Sequence, residues 1–281
     1  MGSLITEGVY LEVPNEEYHD PDGPWGQALN ASTIKILQKR PPVYVKTAKE
    51  TPREEKQAFI IGSAVHARCL EKDRFYKEYV RVPKIDRRTT AGKEEWRRLC
   101  ARHATEFLLK EEDYDLVEAM GDSVERHKVA GPLLEAIDDA EVSCAFKYRD
   151  VVCKVRYDSV NFRDECTVDI KTTRDANPKE FEKSILDFGY HIQAALYLQA
   201  AKELGLAISR FIFVAVEKTP PFSVTVHELP EEYIRYGMKC VDEAVDRYKY
   251  CREKNTWPGY EDVIYRPSLP EFAQYKLEGN V

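Results

Sequence analysis

Apolar and polar residues alternate with a period of two along the run VSCAFKYRDVVCKVRYDSVNFRDECTVDIKTT, which spans residues 142–173. This alternation predicts half-buried strands, and the run divides into three of them, Glu141–Arg149, Val151–Asp158 and Glu165–Thr172. Because the connections between them are short, we expect an antiparallel meander. Two later runs, RFIFVAVEK and FSVTVHEL, are separated by a Pro-Pro turn and predict two more strands.

Apolar residues at helical spacing predict helices before, between and after these strands. The first helix follows Asn30, with either Asn30 or Ser32 as its N-cap, and Pro41-Pro42 ends it. The other predicted helices are Lys56–Glu71, Thr90–Lys110, Tyr114–Lys128, Leu133–Ile137, Lys179–Asp187, Tyr190–Leu204 and Glu231–Lys254.

This order of elements predicts one α/β domain over residues 1–281, with a helical N-terminal part packed on a sheet. We divide it into an N-terminal arm (1–30), a helical part (31–138), a core that contains the strands (139–254) and a C-terminal tail (255–281). The tail is rich in proline and aromatic residues, and we expect it to pack over the surface.

Composition narrows the class of protein. Of the 281 residues, 43% are apolar and 32% are charged, which is typical of a globular protein. There is no run of about 18 apolar residues, and the N-terminus has neither a basic start nor a long apolar core, so we expect no membrane span, no secretory signal and a cytoplasmic location. The seven cysteines are scattered without a CxxC motif, which favours reduced thiols over disulfides, a zinc ribbon or an iron–sulfur cluster.

The charge distribution leaves two interpretations open. The formal net charge is −7, yet binding to nucleic acid depends on local charge and not on the sum. The segment RVPKIDRRTTAGKEEWRR, residues 81–98, holds seven lysines and arginines against three acidic residues. It is either a solvated loop and helix surface, which is the commoner explanation of a charge run, or a surface that contacts a nucleic-acid backbone.

An acid and a base lie two residues apart in the predicted strand TVDIKTT, residues 167–173. Because alternate side chains face opposite sides of a strand, Asp169 and Lys171 share a face, roughly 7 Å apart between Cα atoms. If the polar faces of this strand and the preceding one coincide, Asp158 lies near both residues in a D-x10-D-x-K arrangement. Two adjacent carboxylates favour a divalent cation between them, and the lysine can then assist an attacking water. The alternative is an exposed Asp–Lys pair that contributes at most about 1 kcal/mol.

Three more residues are candidates for the same site. His66 lies in a helix of apolar and small residues, and it is either a buried histidine with one hydrogen bond or a metal ligand beside the carboxylates. Gln193 and Tyr197 are spaced i, i+4 and therefore share one face of their helix. They either orient a lysine, a phosphate oxygen or a water, or Tyr197 is a buried tyrosine with a satisfied hydroxyl group.

Six motifs in this chain order resemble the nuclease domain of the RecE (exonuclease VIII) family. They are GSAVHARCLE, RRTTAGKEE, VRYD, DIKTT, YHIQAALY and a late Trp-Pro segment, and the resemblance extends from about Asn30 to Ala273. That family belongs to the PD-(D/E)XK superfamily, in the branch with a Q-x-x-x-Y helix. The resemblance implies a nuclease core with a central mixed sheet flanked by helices. It also implies a Mg²⁺-dependent 5′→3′ exonuclease that acts on double-stranded DNA, releases 5′-mononucleotides and leaves 3′ single-stranded tails for recombination by strand annealing.

The resemblance assigns roles to individual residues. The implied ligands of Mg²⁺, for which Mn²⁺ is expected to substitute, are His66, Asp158, Asp169 and the carbonyl of Ile170. The implied catalytic residues are Lys171, Asp169, Asp158, Gln193 and Tyr197, with Glu141 as a further acidic candidate. The implied DNA contacts are Ser32, Arg87, Arg88 and Lys93. Two departures from the usual motif, Tyr157 in place of proline and Asp169 in place of glutamate, remove no ligand.

The resemblance also implies partners. These are the ends of double-stranded DNA, further copies of the chain in a ring-shaped homo-oligomer, commonly a tetramer, and a single-strand annealing protein of the RecT type. A ring with a basic inner wall would reconcile DNA binding with the acidic net charge. Two other functions stay open: a DNA endonuclease or repair nuclease with the same core, and a non-catalytic protein that binds DNA ends.

Overall fold

The computed structural model describes residues 5–50 and 57–277, except the side chains at positions 49, 50, 272 and 276. The helices are α1 (Asn15–His19), α2 (Ala31–Lys39), α3 (Val43–Glu50), α4 (Gln57–Leu70), α5 (Lys72–Glu78), α6 (Thr90–Arg102), α7 (Glu111–Arg126), α8 (Ala130–Glu135), α9 (Pro178–Asp187), α10 (Tyr190–Leu204), α11 (Glu231–Lys254) and α12 (Glu271–Leu277). The strands are β1 (Gly8–Tyr10), β2 (Val80–Val82), β3 (Leu108–Lys110), β4 (Asp139–Tyr148), β5 (Val151–Asn161), β6 (Cys166–Thr173), β7 (Arg210–Glu217) and β8 (Val224–Glu228). The predicted start of α4, Lys56, lies outside the described residues.

A six-stranded sheet forms the centre of the fold, with the strand order β1-β4-β5-β6-β7-β8. β4, β5 and β6 form the predicted antiparallel meander. β6 and β7 are parallel because α9 and α10 connect them as a crossover, and β8 returns antiparallel to β7. The N-terminal arm adds β1 as an edge strand beside β4. The expectation of a mixed sheet flanked by helices is therefore confirmed.

Several predicted boundaries were wrong, including the starts of α7 and α8, and two of the differences have a clear physical reason. The helix predicted over 90–110 ends at Arg102, and the chain continues as a 3₁₀ turn (Thr105–Phe107) and as β3, which pairs with β2. Leu109 of β3 is buried in the core between α4 and α7, and this packing outweighs a weak helical preference. β5 also runs past its predicted end at Asp158, because Val160 is buried and pairs with β6.

Helices cover both faces of the sheet. Alternate residues of β7 belong to different cores: Phe213 packs with α9 and α10, whereas Val214 packs with α4 and α7. A third core joins α2, α10 and α11 to β4 and β5. The sheet therefore separates α4 and α7 from α9 and α10.

The polar residues of β5 and β6 do not share one face. Val155 and Tyr157 of β5 pack with α10 and α11. Val168 and Ile170 of β6 pack with α4 and α7. The apolar sides of the two strands thus face opposite helical layers, so the shared polar face considered from the sequence is not formed. The candidate catalytic residues meet because the two strands separate.

The C-terminal tail does not pack as expected. Its start is anchored, since the ring of Trp257 contacts Tyr248 and that of Tyr260 contacts Tyr44. Residues 261–271 are exposed, and Ile264 reaches 92% exposure. The expectation of a tail packed through its aromatic residues was therefore wrong beyond Tyr260.

Two further expectations concern cysteines and membranes. All seven cysteines are free, and five of them are buried. Among the described helices, none is both long enough and apolar enough to cross a membrane.

Candidate metal centre and catalytic residues

The candidate site forms where β5 and β6 separate. Backbone pairing between these strands is limited to two residue pairs beside their connecting turn. Next to those pairs, the hydroxyl of Ser159 donates to the carbonyl of Val168 over 2.8 Å, and the hydroxyl of Thr167 donates to the carbonyl of Ser159 over 2.7 Å. If the register continued, Asp158 would lie opposite Asp169. The two acids are therefore brought together on strands that have ceased to pair.

α4 inserts His66 into this opening. Its Nε2 lies 2.6 Å from the carbonyl oxygen of Ile170, and its Nδ1 lies 3.1 Å from Oδ2 of Asp158. The carbonyl of Ile170 is available because β5, which would otherwise pair with that edge of β6, has moved away. The imidazole therefore contacts both strands and lies beside two of the expected metal ligands.

A buried ion-pair cluster fixes α4 against α7. The side chain of Arg68 is only 2% exposed. Its Nε donates to Glu118 over 2.5 Å, one terminal nitrogen donates to Glu125 over 2.6 Å, and the other donates to Asp122 over 2.7 Å. Because all three acids lie on α7, the guanidinium holds the helix that carries the site histidine in one position.

Glu141 of β4 completes a group of possible metal ligands. One atom each of His66, Glu141 and Asp158 lie within 4.8 Å of one another. Glu141 has a φ of 53°, in the left-handed region that residues other than glycine seldom adopt. Its carboxylate lies 3.8 Å from one terminal nitrogen of Arg156, and the other terminal nitrogen donates to the carbonyl of Val13 in the N-terminal arm. The arm thus helps to position an acid of the site.

Asp169 is held by two side chains. Lys171 Nζ lies 2.5 Å from its Oδ1, and Gln193 Nε2 donates to its Oδ2 over 2.6 Å. The amide oxygen of Gln193 in turn accepts a long hydrogen bond of 3.4 Å from Lys35. The ring of Tyr190 lies beside both ammonium groups, with its centroid 5.1 Å from Lys171 Nζ and 5.4 Å from Lys35 Nζ.

Tyr197 lies one turn after Gln193 on α10. Its ring packs edge-on against Tyr157, with 5.2 Å between centroids, and its carbonyl accepts a hydrogen bond of 2.7 Å from the hydroxyl of Tyr157. Burial, helped by the charges of Asp158 and Asp169, raises the pKa of Tyr197 well above its ordinary value. Tyr197 therefore presents a neutral hydroxyl group near the two acids.

Residues 31–265 match the family described as "PDDEXK-like domain of unknown function" (DUF3799). This range includes every residue of the site described above. The chain belongs to this PDDEXK-like family.

One solved structure shares the fold of this chain. The crystal structure of a protein named "Putative exonuclease" from Eubacterium rectale matches this chain with a TM-score of 0.65 at 15% identity, over 97% of this chain and 100% of that one. At this identity the similarity shows the fold alone. The structure of SSO0001 matches with a TM-score of 0.28 at 16% identity, over 81% of this chain and 95% of that one, and this score is too low to support an argument. No curated protein matches the sequence.

The carboxylates of the candidate site have divergent pKa values. Burial tends to raise the pKa of Asp158, but the charge of the neighbouring His66 outweighs burial and lowers the pKa. Burial and the charge of Asp158 raise the pKa of Asp169. The same two causes raise the pKa of Glu141 to about 7. The acids are crowded enough to repel one another unless a cation joins them.

His66 and Lys171 are the cations of the metal-free site. Burial tends to lower the pKa of each, but the carboxylates outweigh it. The pKa of His66 rises to about 9, mainly through Asp158, and the pKa of Lys171 rises above its ordinary value, mainly through Asp169. A metal ion that binds the imidazole must therefore displace a proton from it.

The available atoms fit a divalent cation. Asp158 Oδ2 and Asp169 Oδ1 are buried, and neither accepts a well-aligned hydrogen bond from the described residues, although His66 and Lys171 lie close to them. A buried acceptor without a donor costs free energy, which a bound cation would offset. Carboxylate and carbonyl oxygens with one imidazole are ligands that suit Mg²⁺ or Mn²⁺.

The predicted DNA contacts lie outside this site. Arg87, Arg88 and Lys93 are exposed in the loop before α6 and in its first turn, and the guanidinium of Arg87 lies 4.3 Å from the ring centroid of Trp96. Ser32 is exposed in the first turn of α2, which Asn30 caps. None of the four contacts the site among the described residues, and their role stays a prediction.

Two residues of the site, Tyr190 and Lys35, were not predicted from the sequence. Tyr190 precedes Gln193 by three positions and Tyr197 by seven, so helical spacing places it on the face already singled out. Lys35 carried no such signal, because its contact with Gln193 depends on the packing of α2 against α10.

Proposed function

We propose that this chain is a divalent-cation-dependent deoxyribonuclease of the RecE type, which digests double-stranded DNA from its ends in the 5′→3′ direction, releases 5′-mononucleotides and leaves 3′ single-stranded tails. The observation that carries the proposal is the convergence of His66, Glu141 and Asp158 within 4.8 Å, beside the ion pair of Asp169 and Lys171. Membership of the PDDEXK-like family supports a nuclease, and the name of the Eubacterium rectale protein favours an exonuclease.

The ligands of the cation would be His66, Glu141, Asp158, Asp169 and the carbonyl of Ile170. When bound, Mg²⁺ or Mn²⁺ would supply Lewis acidity towards a phosphodiester and lower the pKa of a water molecule. The remaining chemistry belongs to the side chains around these ligands.

Lys171 supplies a fixed positive charge. In the metal-free site the neighbouring carboxylates raise the pKa of Lys171, which favours the ammonium form, and this group would orient a phosphate oxygen or the attacking water. Gln193 holds one oxygen of Asp169 and leaves the other for Lys171 and the cation. Tyr197 adds a neutral hydroxyl donor beside the acids.

DNA binding is proposed for the exposed basic segment. Arg87, Arg88 and Lys93 would contact the DNA backbone without regard to sequence, and Ser32 would lie near a 5′-phosphate. A ring of several copies would concentrate these basic segments on an inner wall, which reconciles DNA binding with the net charge of −7. A RecT-type annealing protein would then receive the 3′ tail.

The test is time-resolved digestion of linear duplex labelled separately at its 5′ and 3′ ends, with Mg²⁺, with Mn²⁺ and with a chelator. We expect early release of the 5′ label as a mononucleotide, and no digestion by Lys171→Ala or Asp169→Ala although circular dichroism shows that both variants remain folded. The matched controls are Lys147→Ala and Asp150→Asn, which disrupt an exposed Lys–Asp pair of 3.7 Å at the tip of the β4–β5 hairpin and should keep full activity.

The same proteins and DNA substrates distinguish this function from the alternative functions. Full activity of both site variants would refute the proposed catalytic site, and early release of the 3′ label would refute the polarity. Nicking of covalently closed plasmid would instead identify an endonuclease. Binding of DNA ends without nucleotide release in either metal would identify a non-catalytic end-binding protein.

A further inference from the structure

A second lysine lies against the site without a role in the chemistry proposed above. α2 places Lys35 over the start of α10, where its side chain passes Gly189. Gly189 has a φ of 64°, and a Cβ built there would lie 3.2 Å from Cγ of Lys35. Glycine is therefore favoured at this position for two reasons: it adopts the left-handed backbone conformation without strain, and its lack of a side chain leaves room for Lys35.

The contacts of Gln193 are directional. A glutamine amide has a donor end and an acceptor end, and a half-turn about the last bond exchanges them. Here the acceptor Oε1 faces Lys35, and the donor Nε2 faces Asp169 at 2.6 Å. In the reversed orientation the amide NH₂ would face an ammonium group and the amide oxygen would face a carboxylate. Both contacts would be repulsive, so Lys35 and Asp169 together select one orientation.

We propose that Lys35 is a positioning residue that fixes the side-chain amide of Gln193 and, through it, the carboxylate of Asp169. The inference rests on the proposed metal site. With Oδ2 of Asp169 bound by Gln193, Oδ1 is left for Lys171 and the cation. Without Lys35 the amide can turn, and Asp169 loses the contact that orients it.

The contact does not depend on one protonation state of Lys35. Burial, followed by the positive charge of Lys171, lowers the pKa of Lys35 to about 7. Both the ammonium and the amine carry N–H groups, so either form can donate to the amide oxygen of Gln193. The ammonium also excludes the reversed amide, whereas beside the amine only the carboxylate of Asp169 does so. Lys35 acts here as a hydrogen-bond donor of fixed position.

The test compares Lys35→Met with Lys39→Met. Lys39 lies one turn further along α2, is exposed and donates to the carbonyl of Asp187. In the absence of DNA, Lys35→Met should weaken Mn²⁺ binding about tenfold, whereas Lys39→Met should leave the Mn²⁺ affinity unchanged. A tenfold loss is the lower end of what is seen when a group that orients a metal ligand is removed. In the metal-free protein, the side-chain amide signals of Gln193, assigned by their loss in Gln193→Ala, should shift in Lys35→Met alone.

A double-mutant cycle separates positioning from other roles. If Lys35 acts through Gln193, adding Lys35→Met to Gln193→Ala causes no further loss of Mn²⁺ affinity or kcat. The inference would be overturned if Lys35→Met caused the same loss of Mn²⁺ affinity and kcat in the wild-type and Gln193→Ala backgrounds. It would also be overturned if Lys35→Met raised the KM for DNA at unchanged Mn²⁺ affinity, because that result indicates a direct contact with substrate. If the wild-type protein binds Mn²⁺ and the Lys35→Met and Lys39→Met variants bind it with equal affinity, the inference about Lys35 is refuted and the metal site is not. Wild-type protein that binds no Mn²⁺ refutes the proposed metal site together with it.

Discussion

The crossing of α10 and α11 at Gly237 leaves no room for a side chain. A Cβ built at Gly237 would lie 2.2 Å from the carbonyl oxygen of His191 and 2.8 Å from Cβ of Ala195, both on α10. Because favourable contacts between heavy atoms begin near about 3.5 Å, Gly237→Ala would push α11 away from α10 by roughly 1 Å. α10 carries Gln193 and Tyr197, so the displacement should also lower nuclease activity.

The magnitude follows from two opposing effects. Overpacking costs about 1–3 kcal/mol, and we expect the upper end because a backbone carbonyl cannot rotate away. The helix propensity of alanine offsets about 1 kcal/mol of this cost. Gly237→Ala should therefore lower the free energy of unfolding by about 2 kcal/mol.

Gly62→Ala is the matched control. Gly62 also lies inside a helix, α4, but a Cβ built there meets no neighbouring atom of the described residues within 4 Å. The same substitution should raise the free energy of unfolding by up to about 1 kcal/mol. Denaturant unfolding should thus separate the two variants by about 3 kcal/mol. A Gly237→Ala protein as stable as Gly62→Ala would refute the close helix contact.

Three further predictions address the metal, the α4–α7 contact and DNA. Mn²⁺ affinity should rise about tenfold per pH unit from neutral pH towards the His66 pKa of about 9, because a proton must leave the imidazole before the metal binds. Calorimetry should show that the Mn²⁺ affinity of His66→Asn depends less steeply on pH. Arg68→Met should lower the free energy of unfolding by about 2 kcal/mol. This is less than the cost of breaking a fully buried pair, because the acidic partners of Arg68 are partly exposed and can rehydrate. An unchanged denaturation midpoint would contradict this prediction. Replacing Arg87, Arg88 and Lys93 by glutamine should weaken duplex binding and reduce the slope of log K against log salt by about 3, and an unchanged slope in anisotropy titrations would exclude them as phosphate contacts.

Local patterns in the sequence predicted the elements near the site well. Period-two alternation identified β4 to β6 and placed Asp169 and Lys171 side by side, and their ion pair of 2.5 Å agrees. Helical spacing identified α10 and placed Gln193 and Tyr197 on one face. These outcomes depend on neighbours in the chain, so the backbone geometry of one strand or one helix is sufficient to determine them.

The composition of the site depended on packing between distant segments. Asp158 and Asp169 meet because β5 and β6 separate and hydroxyl groups replace part of their pairing. His66 reaches the carbonyl of Ile170 because Arg68 holds α4 against α7.

The sequence by itself therefore determined which side chains are adjacent within each strand and helix, because backbone periodicity is local. Only the tertiary structure decided that Glu141 adopts a left-handed conformation beside Asp158 and that Lys35 reaches Gln193. Those contacts join residues far apart in the chain, and their geometry follows from how β4 lies against β5 and α2 against α10. No periodicity in the sequence encodes these relations.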